Sequence, residues 1–162
     1  MAKYLGVLVN GGKDLDITLV KDVINENGES IDKSEIVEYT NSKLGIKKEE
    51  KEDLGIKQEN IDVILEGMRS VTTETGGTAY SIFKNFDIEI GGKTGSAEAG
   101  NKKVNAWFAG FAPYDDPEIA IIVSVENGGH GYYTAEVAKE ILEVYFGLNE
   151  DVAETRTAEP YV

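Results

Sequence analysis

Cysteine is missing from this 162-residue chain, so neither a disulfide nor a thiolate metal site can contribute to it. That absence leaves the compartment open, since it suits a reducing cytosol and also an extracytoplasmic domain that does without disulfides. Basic residues are scarce: 16 Lys and Arg face 30 Asp and Glu, for a formal charge of −14. A nucleic-acid partner is thereby disfavoured, because phosphate contacts draw on a surplus of cations. Histidine occurs once, at His130, and without a serine partner at a recognisable spacing it reads as a loop residue. Long apolar runs are lacking too. None approaches the ~20 residues that span a bilayer, and the first residues do not follow the charged, apolar, small order of a secretory signal. What remains is a soluble acidic chain, long enough to bury roughly 70% of its unfolded surface as one domain.

Met1 to Val9 is apolar and runs into Asn10-Gly11-Gly12, which predicts the last turns of a helix stopped by glycine. Leu19, Val20, Val23 and Ile24, followed by Asn27-Gly28 and Ile31, predict a short hairpin turning at the Asn-Gly pair. From residue 26 to 58 mixed charge is dense, with every position from Lys47 to Asp53 charged, so this insertion-like region reads as a solvated surface. Ile61, Ile64, Leu65, Met68 and Val71 fall at helical spacing and end at Thr72-Thr73 and Gly76-Gly77. Residues 88–97 predict a strand, and residues 106–112 alternate as a second. Ile119 to Val125 is a nearly unbroken β-branched third, joined to the second by a turn at Pro113-Tyr114-Asp115-Asp116-Pro117 as an antiparallel hairpin. The acidic pair there is turn chemistry rather than a metal ligand. A last helix is expected to be capped by Thr134, with Val137, Ala138, Ile141, Leu142 and Tyr145 as its apolar positions and Gly147 after it. Residues 148–162 read as a disordered acidic tail.

Chemistry concentrates in Gly91-Gly92-Lys93-Thr94-Gly95-Ser96-Ala97. A phosphate loop would need glycine where Asp87 stands and a helix beginning at Lys93-Thr94, yet small residues follow. A bland alternative is a glycine-rich edge strand whose Lys93 protects the edge. A third is a substrate-binding strand of the Lys-Thr-Gly kind. Such a strand needs an open edge for main-chain pairing, a small residue for close approach, hydroxyls for a carboxylate and a fixed positive charge. Gly95, Thr94, Ser96 and Lys93 supply those residue types. Elsewhere, Gly128-Gly129-His130-Gly131 superficially matches a dinucleotide-binding turn, but Thr134 stands where the third glycine belongs. Trp107 reads as a packing residue beside the Lys93 strand.

From about Tyr4 to Phe146 the chain resembles the C-terminal part of the transpeptidase domain of class B penicillin-binding proteins, of the penicillin-binding protein 2 kind. Lys93-Thr94-Gly95-Ser96-Ala97-Glu98 resembles the family's Lys-Thr-Gly-Thr-Ala-Gln, with Ser96 and Glu98 as departures, of which Ser96 keeps the hydroxyl. Val9-Asn10-Gly11-Gly12, Glu66-Gly67-Met68, Gly77-Thr78-Ala79, residues 106–113 and Val125-Glu126-Asn127-Gly128 resemble family segments in the same order. The tripeptide alone is weak; the ordered series is specific.

The resemblance implies an α+β chain with a partial β-lactamase/transpeptidase-like fold. In it the Lys-Thr-Gly strand plus the hairpin form an antiparallel sheet packed against helices, including the C-terminal one. Residues 1–147 would be the C-terminal part of the domain. It also implies a serine-type D,D-transpeptidase parent that cross-links peptidoglycan at the extracytoplasmic face of the bacterial plasma membrane, held by an N-terminal anchor. Its ligands would be the stem peptide and β-lactams, with no cofactor, metal or nucleic acid. Lys93 would act electrostatically, Thr94 and Ser96 would hold the donor carboxylate, the Ser96 backbone N–H would donate to the oxyanion, and Gly95 would keep the strand approachable.

The family's Ser-x-x-Lys and Ser-x-Asn motifs precede the Asn-Gly-Gly helix end and would lie upstream of Met1. Ser30-Ile31-Asp32-Lys33 and Ser81-Ile82-Phe83-Lys84 match the first pattern locally, but chance alone gives about 0.6 such matches for this composition. Tyr39-Thr40-Asn41 imitates the second and is misplaced for the same reason. The 162 residues are therefore expected to be inactive by themselves, since acyl transfer needs a nucleophile within reach of its base. A homodimer covering the apolar first helix is also expected. The alternative function is a non-catalytic sensor that binds β-lactams or stem peptides.

Overall fold

A computed structural model describes residues 1–14, 17, 22–45, 54–100 and 103–148. Among these the order is α1 (Ala2–Val9), α2 (Lys33–Leu44), α3 (Gln58–Thr73), α4 (Tyr80–Phe83), β1 (Gly91–Glu98), β2 (Val104–Ala112), β3 (Ile119–Val125) and α5 (Gly131–Tyr145). The strands form one antiparallel sheet in the order β1-β2-β3. This is the expected α+β arrangement, with the hairpin turning at residues 113–118, where the Glu118 N–H donates to the Ala112 carbonyl at 2.9 Å.

Strand alternation sends the side chains of β2 to opposite faces, and each face finds its own cover. Phe108, Ala112 and Ile121 pack with Ile82 and Phe83 of α4 and with Ala135, Ala138 and Leu142 of α5. Phe111, on the other face, packs with Leu5 of α1 and Met68 of α3. Helix α1 ends as glycine dictates: Gly11 and Gly12 have φ of 76° and 83°, and the Gly12 N–H donates back to Val7 at 2.8 Å. Helix α3 follows its apolar stripe, although Ile64 stays 41% exposed at the margin.

Two expectations are corrected, the cap of the last helix and the start of the first strand, and two further findings stand beside them. Thr134 does not cap α5: His130 holds that position, while Thr134 lies buried inside the first turn and its hydroxyl donates to the Gly131 carbonyl at 2.7 Å. The inward face of α5 is Thr134, Ala135, Ala138 and Leu142, and Val137, Ile141 and Tyr145 stand out in solvent, because small residues let the helix lie close on the sheet. The first strand begins at Gly91 rather than residue 88. Region 26–58 contains a helix, α2, whose Asp32 cap accepts from the Ser34 N–H and whose end is Gly45 in the left-handed conformation. Helix α2 buries none of its described side chains, in keeping with a solvated surface.

The Asn27-Gly28 turn is present, with Gly28 at φ 80° and an Ile24–Ser30 bridge; Leu19 and Val20 of that hairpin lie outside the described residues. So do Lys47 to Asp53 and residues 149–162 of the expected tail.

Candidate functional site

The site begins with two glycines that let β1 enter the core. A Cβ at Gly91 would meet the Phe111 ring at 2.4 Å, and one at Gly92 would meet the Phe108 ring at 2.7 Å. Only hydrogen fits in either place. From there the strand runs outward and becomes exposed, with β2 as its one neighbour in the sheet among the described residues. The strand continues through Lys93-Thr94, where a phosphate loop would start a helix.

Because neighbouring side chains alternate, the candidate residues flank this edge from both faces. Lys93 lies opposite Ala109, and with it lines a cavity of about 280 Å³ between α1 and α3, walled by Tyr4, Leu5, Leu8 and Met68. Its ammonium donates to the Thr94 carbonyl at 2.5 Å. Thr94 and Ser96 turn to the other face. The Thr94 hydroxyl is 2.7 Å from that of Thr78, and the Ser96 hydroxyl accepts from the Gly131 N–H at 3.2 Å. Gly95 pairs with Trp107, where a Cβ would stand 3.3 Å from the Trp107 Cβ, so Trp107 packs beside the strand as expected.

Thr78 and Gly131 carry no functional assignment in the sequence reading. Thr78 comes from the turn after α3, which is tucked tightly: a Cβ at Gly77 would lie 2.3 Å from the Val71 carbonyl oxygen. The run Gly77-Thr78-Ala79 was the available signal. A backbone N–H such as that of Gly131 leaves no signal in sequence.

Other local matches are exposed or bonded elsewhere. Ser81 is exposed on α4, and Lys84 lines a different cavity, of about 420 Å³, with Asp87 and Glu89. The Ser30 hydroxyl donates to Asp22 at 2.6 Å. Tyr39 and Thr40 are exposed on α2. His130 is exposed at the start of α5. Among the described residues no cluster of His, Cys, Asp or Glu could hold a metal ion, Asp115-Asp116 included.

The lead-in to β1 is clamped to α3. The Thr72 hydroxyl, buried, lies 2.6 Å from the Ile90 carbonyl oxygen and 2.9 Å from that of Arg69. Arg69 makes two bonds to Glu89, at 2.7 and 3.1 Å, and sits 5.1 Å from the Tyr114 ring centroid. The Glu89 bond, then its charge, raises the guanidinium pKa further above its ordinary value. Tyr114 donates through its hydroxyl to Glu66 at 3.3 Å, and burial first, then the Glu66 charge, pushes the phenol up.

Comparison with known proteins places this arrangement. The family model of the penicillin binding protein transpeptidase domain matches residues 1–143. Peptidoglycan D,D-transpeptidase MrdA of Haemophilus influenzae is 30% identical over 95 residues, covering 49% of this chain and 15% of that protein. Penicillin-binding protein 2A of Bacillus subtilis is 28% identical over 163 residues, covering 91% of this chain and 22% of that protein. The solved imipenem acyl-enzyme complex of penicillin-binding protein A from M. tuberculosis superposes with a TM-score of 0.65 at 22% identity, over 90% of this chain and 29% of that one, a likeness of fold. The chain thus spans 15 to 22% of the length of the two curated relatives.

Proposed function

The chain belongs to the penicillin binding protein transpeptidase domain family, and from that premise we propose that it is the C-terminal portion of a peptidoglycan D,D-transpeptidase, whose β1 edge receives the D-Ala-D-Ala end of a stem peptide. The supporting observation is the edge itself: a strand with one sheet neighbour among the described residues, carrying a cation toward one face and two hydroxyls toward the other. A peptide laid along that edge pairs by main-chain hydrogen bonds and has its terminal carboxylate within the reach of those groups.

In the parent reaction a serine oxygen attacks the carbonyl carbon between the two D-alanines and forms the acyl-enzyme. The terminal D-Ala leaves with a proton on its nitrogen, and a neighbouring stem-peptide amine then takes the acyl group. Lys93 supplies positive potential, Thr94 and Ser96 bind the carboxylate, and the Ser96 N–H stabilises the oxyanion, a role worth about 3 kcal/mol in a working site. β-Lactams enter as mimics of the donor.

The 162 residues alone do not acylate, because the nucleophile belongs to the rest of the parent. That parent works at the extracytoplasmic face of the plasma membrane and is anchored by its remaining sequence; among the described residues no helix is long and apolar enough to cross a membrane. Self-association through the exposed Met1, which precedes α1, and Tyr4 of α1 completes the proposal.

Fluorescent penicillin and an acyl-D-Ala-D-Ala peptide test it together. The expected result is saturable amide-shift changes along residues 93–96 with no covalent adduct. A band surviving denaturing gel electrophoresis would locate a nucleophile in this chain, and shifts confined elsewhere would remove the β1 site. Light scattering that gives a monomer at high concentration would overturn self-association.

A further inference from the structure

We propose that Gly131 is a positioning residue for the Ser96 hydroxyl, biasing which of its two hydrogen-bonding roles a ligand meets; the inference rests on the β1 edge being the peptide site. A serine hydroxyl offers one proton and two lone pairs, and when free it rotates to suit either a donor or an acceptor. Here it is not free. The Gly131 N–H, the first of α5, donates to the Ser96 oxygen at 3.2 Å. With one lone pair engaged from behind, the hydroxyl keeps its proton and a single lone pair for an incoming group, which tilts it toward an acceptor such as a carboxylate.

Three features make this arrangement specific to position 131. The N–H belongs to the first helical turn, where backbone donors have no intrahelical partner and must find one outside. Approach to the strand is so close that a Cβ at Gly131 would lie 2.5 Å from the Gly95 carbonyl oxygen, 2.7 Å from the Gly95 nitrogen and 2.9 Å from the Trp107 carbonyl oxygen. All three are backbone atoms, so a side chain could be admitted only by moving the helix away from the strand. Finally, the Gly131 carbonyl is held from inside by the buried Thr134 hydroxyl at 2.7 Å. Thr134 therefore braces Gly131, and Gly131 orients Ser96.

The test compares two probes on the 162-residue chain: an acyl-D-Ala-D-Ala peptide and the same peptide ending in a carboxamide. The wild-type chain should prefer the free carboxylate. Gly131→Ala should lower affinity for the carboxylate about tenfold, the scale of one hydrogen bond to a charged group, while affinity for the carboxamide changes less than about twofold. Ser96→Ala should show the same loss, and the double variant no further loss.

An equal loss for both probes in Gly131→Ala would make the glycine merely structural and overturn the proposal, as would a preference that persists unchanged. If Gly131→Ala does not fold, Ser96→Ala decides through the Gly131 amide proton, which should lose protection from exchange; an unchanged amide would show that the bond does not exist. A wild-type chain that binds neither probe would instead bring down the peptide-site reading, and this inference with it.

Discussion

The two faces of the sheet are packed very differently. On one face, Phe108, Ile90, Ala112 and Ile121 are sealed under α4 and α5, with Phe83 stacked on Phe108 at 5.7 Å between ring centroids. On the other, the buried cluster consists of Leu5, Met68 and Phe111, and beside it opens the cavity lined by Lys93. Met1, Tyr4 and Ile64 around that opening are all more than two-fifths exposed. The sealed face supplies the stability that holds β1 still, and the open face presents its cation. A rigid support beneath an accessible edge is what a site requires when binding depends on the placement of a few polar groups.

Deleting one side chain from each face measures that contrast, with the larger effect on the sealed side. Phe108→Ala, at a position with no exposure, should cost about 3–5 kcal/mol in urea unfolding. Met68→Ala should fall lower, at about 2–3 kcal/mol, because the cavity next to it already denies the side chain some of its contacts. Equal losses would mean that the open face is packed as well as the other, and the asymmetry would carry no meaning.

This asymmetry was only half legible in the sequence. Ile119 to Val125 and the α3 stripe declare their elements, since β-branched runs and a period of 3.6 have few other solutions. The inward face of α5 was not legible: Val137, Ile141 and Tyr145 are the bulkier choice, yet the close seat on the sheet admits Ala135 and Ala138. Helix α2 escaped notice because it has no apolar stripe, although its ends were spelled out by Asp32 with Ser34 and by Lys43 before Gly45. At the candidate site the residues Lys93 to Ser96 could be picked out by type. Their partners could not, because Thr78 reaches Thr94 across a tertiary contact and Gly131 acts through its backbone.

The junction between the two faces offers a smaller and sharper measurement. Thr72 is buried against Gly92 and ties α3 to the Ile90 carbonyl just ahead of β1. Thr72→Val keeps the shape and removes the donor, so the Ile90 carbonyl loses a buried partner; the expected cost is about 1–2 kcal/mol. If the clamp positions β1 as well as stabilising it, the amide shifts of Lys93 and Thr94 should move in this variant, whereas Met68→Ala should leave Thr94 in place. Shifts confined to α3 would reduce Thr72 to a local bond.

The smallest expected effect lies at the rim of the open face, where Tyr114 stacks on Phe111 at 5.8 Å and donates to Glu66. Burial and the Glu66 charge raise the phenol's pKa in the folded protein above its ordinary value near 10. Between the unfolded and folded values the native state holds a proton that the unfolded chain has released. Stability linked to this group is therefore complete below about pH 10 and declines as pH rises through the folded value. Tyr114→Phe abolishes that proton, so the difference in urea midpoint between wild type and variant should stay constant at neutral pH and shift in the variant's favour above about pH 10. A difference that stays flat through that range would mean that the phenol is as well solvated when folded as when unfolded, and that the rim of the open face is looser than its stacking implies.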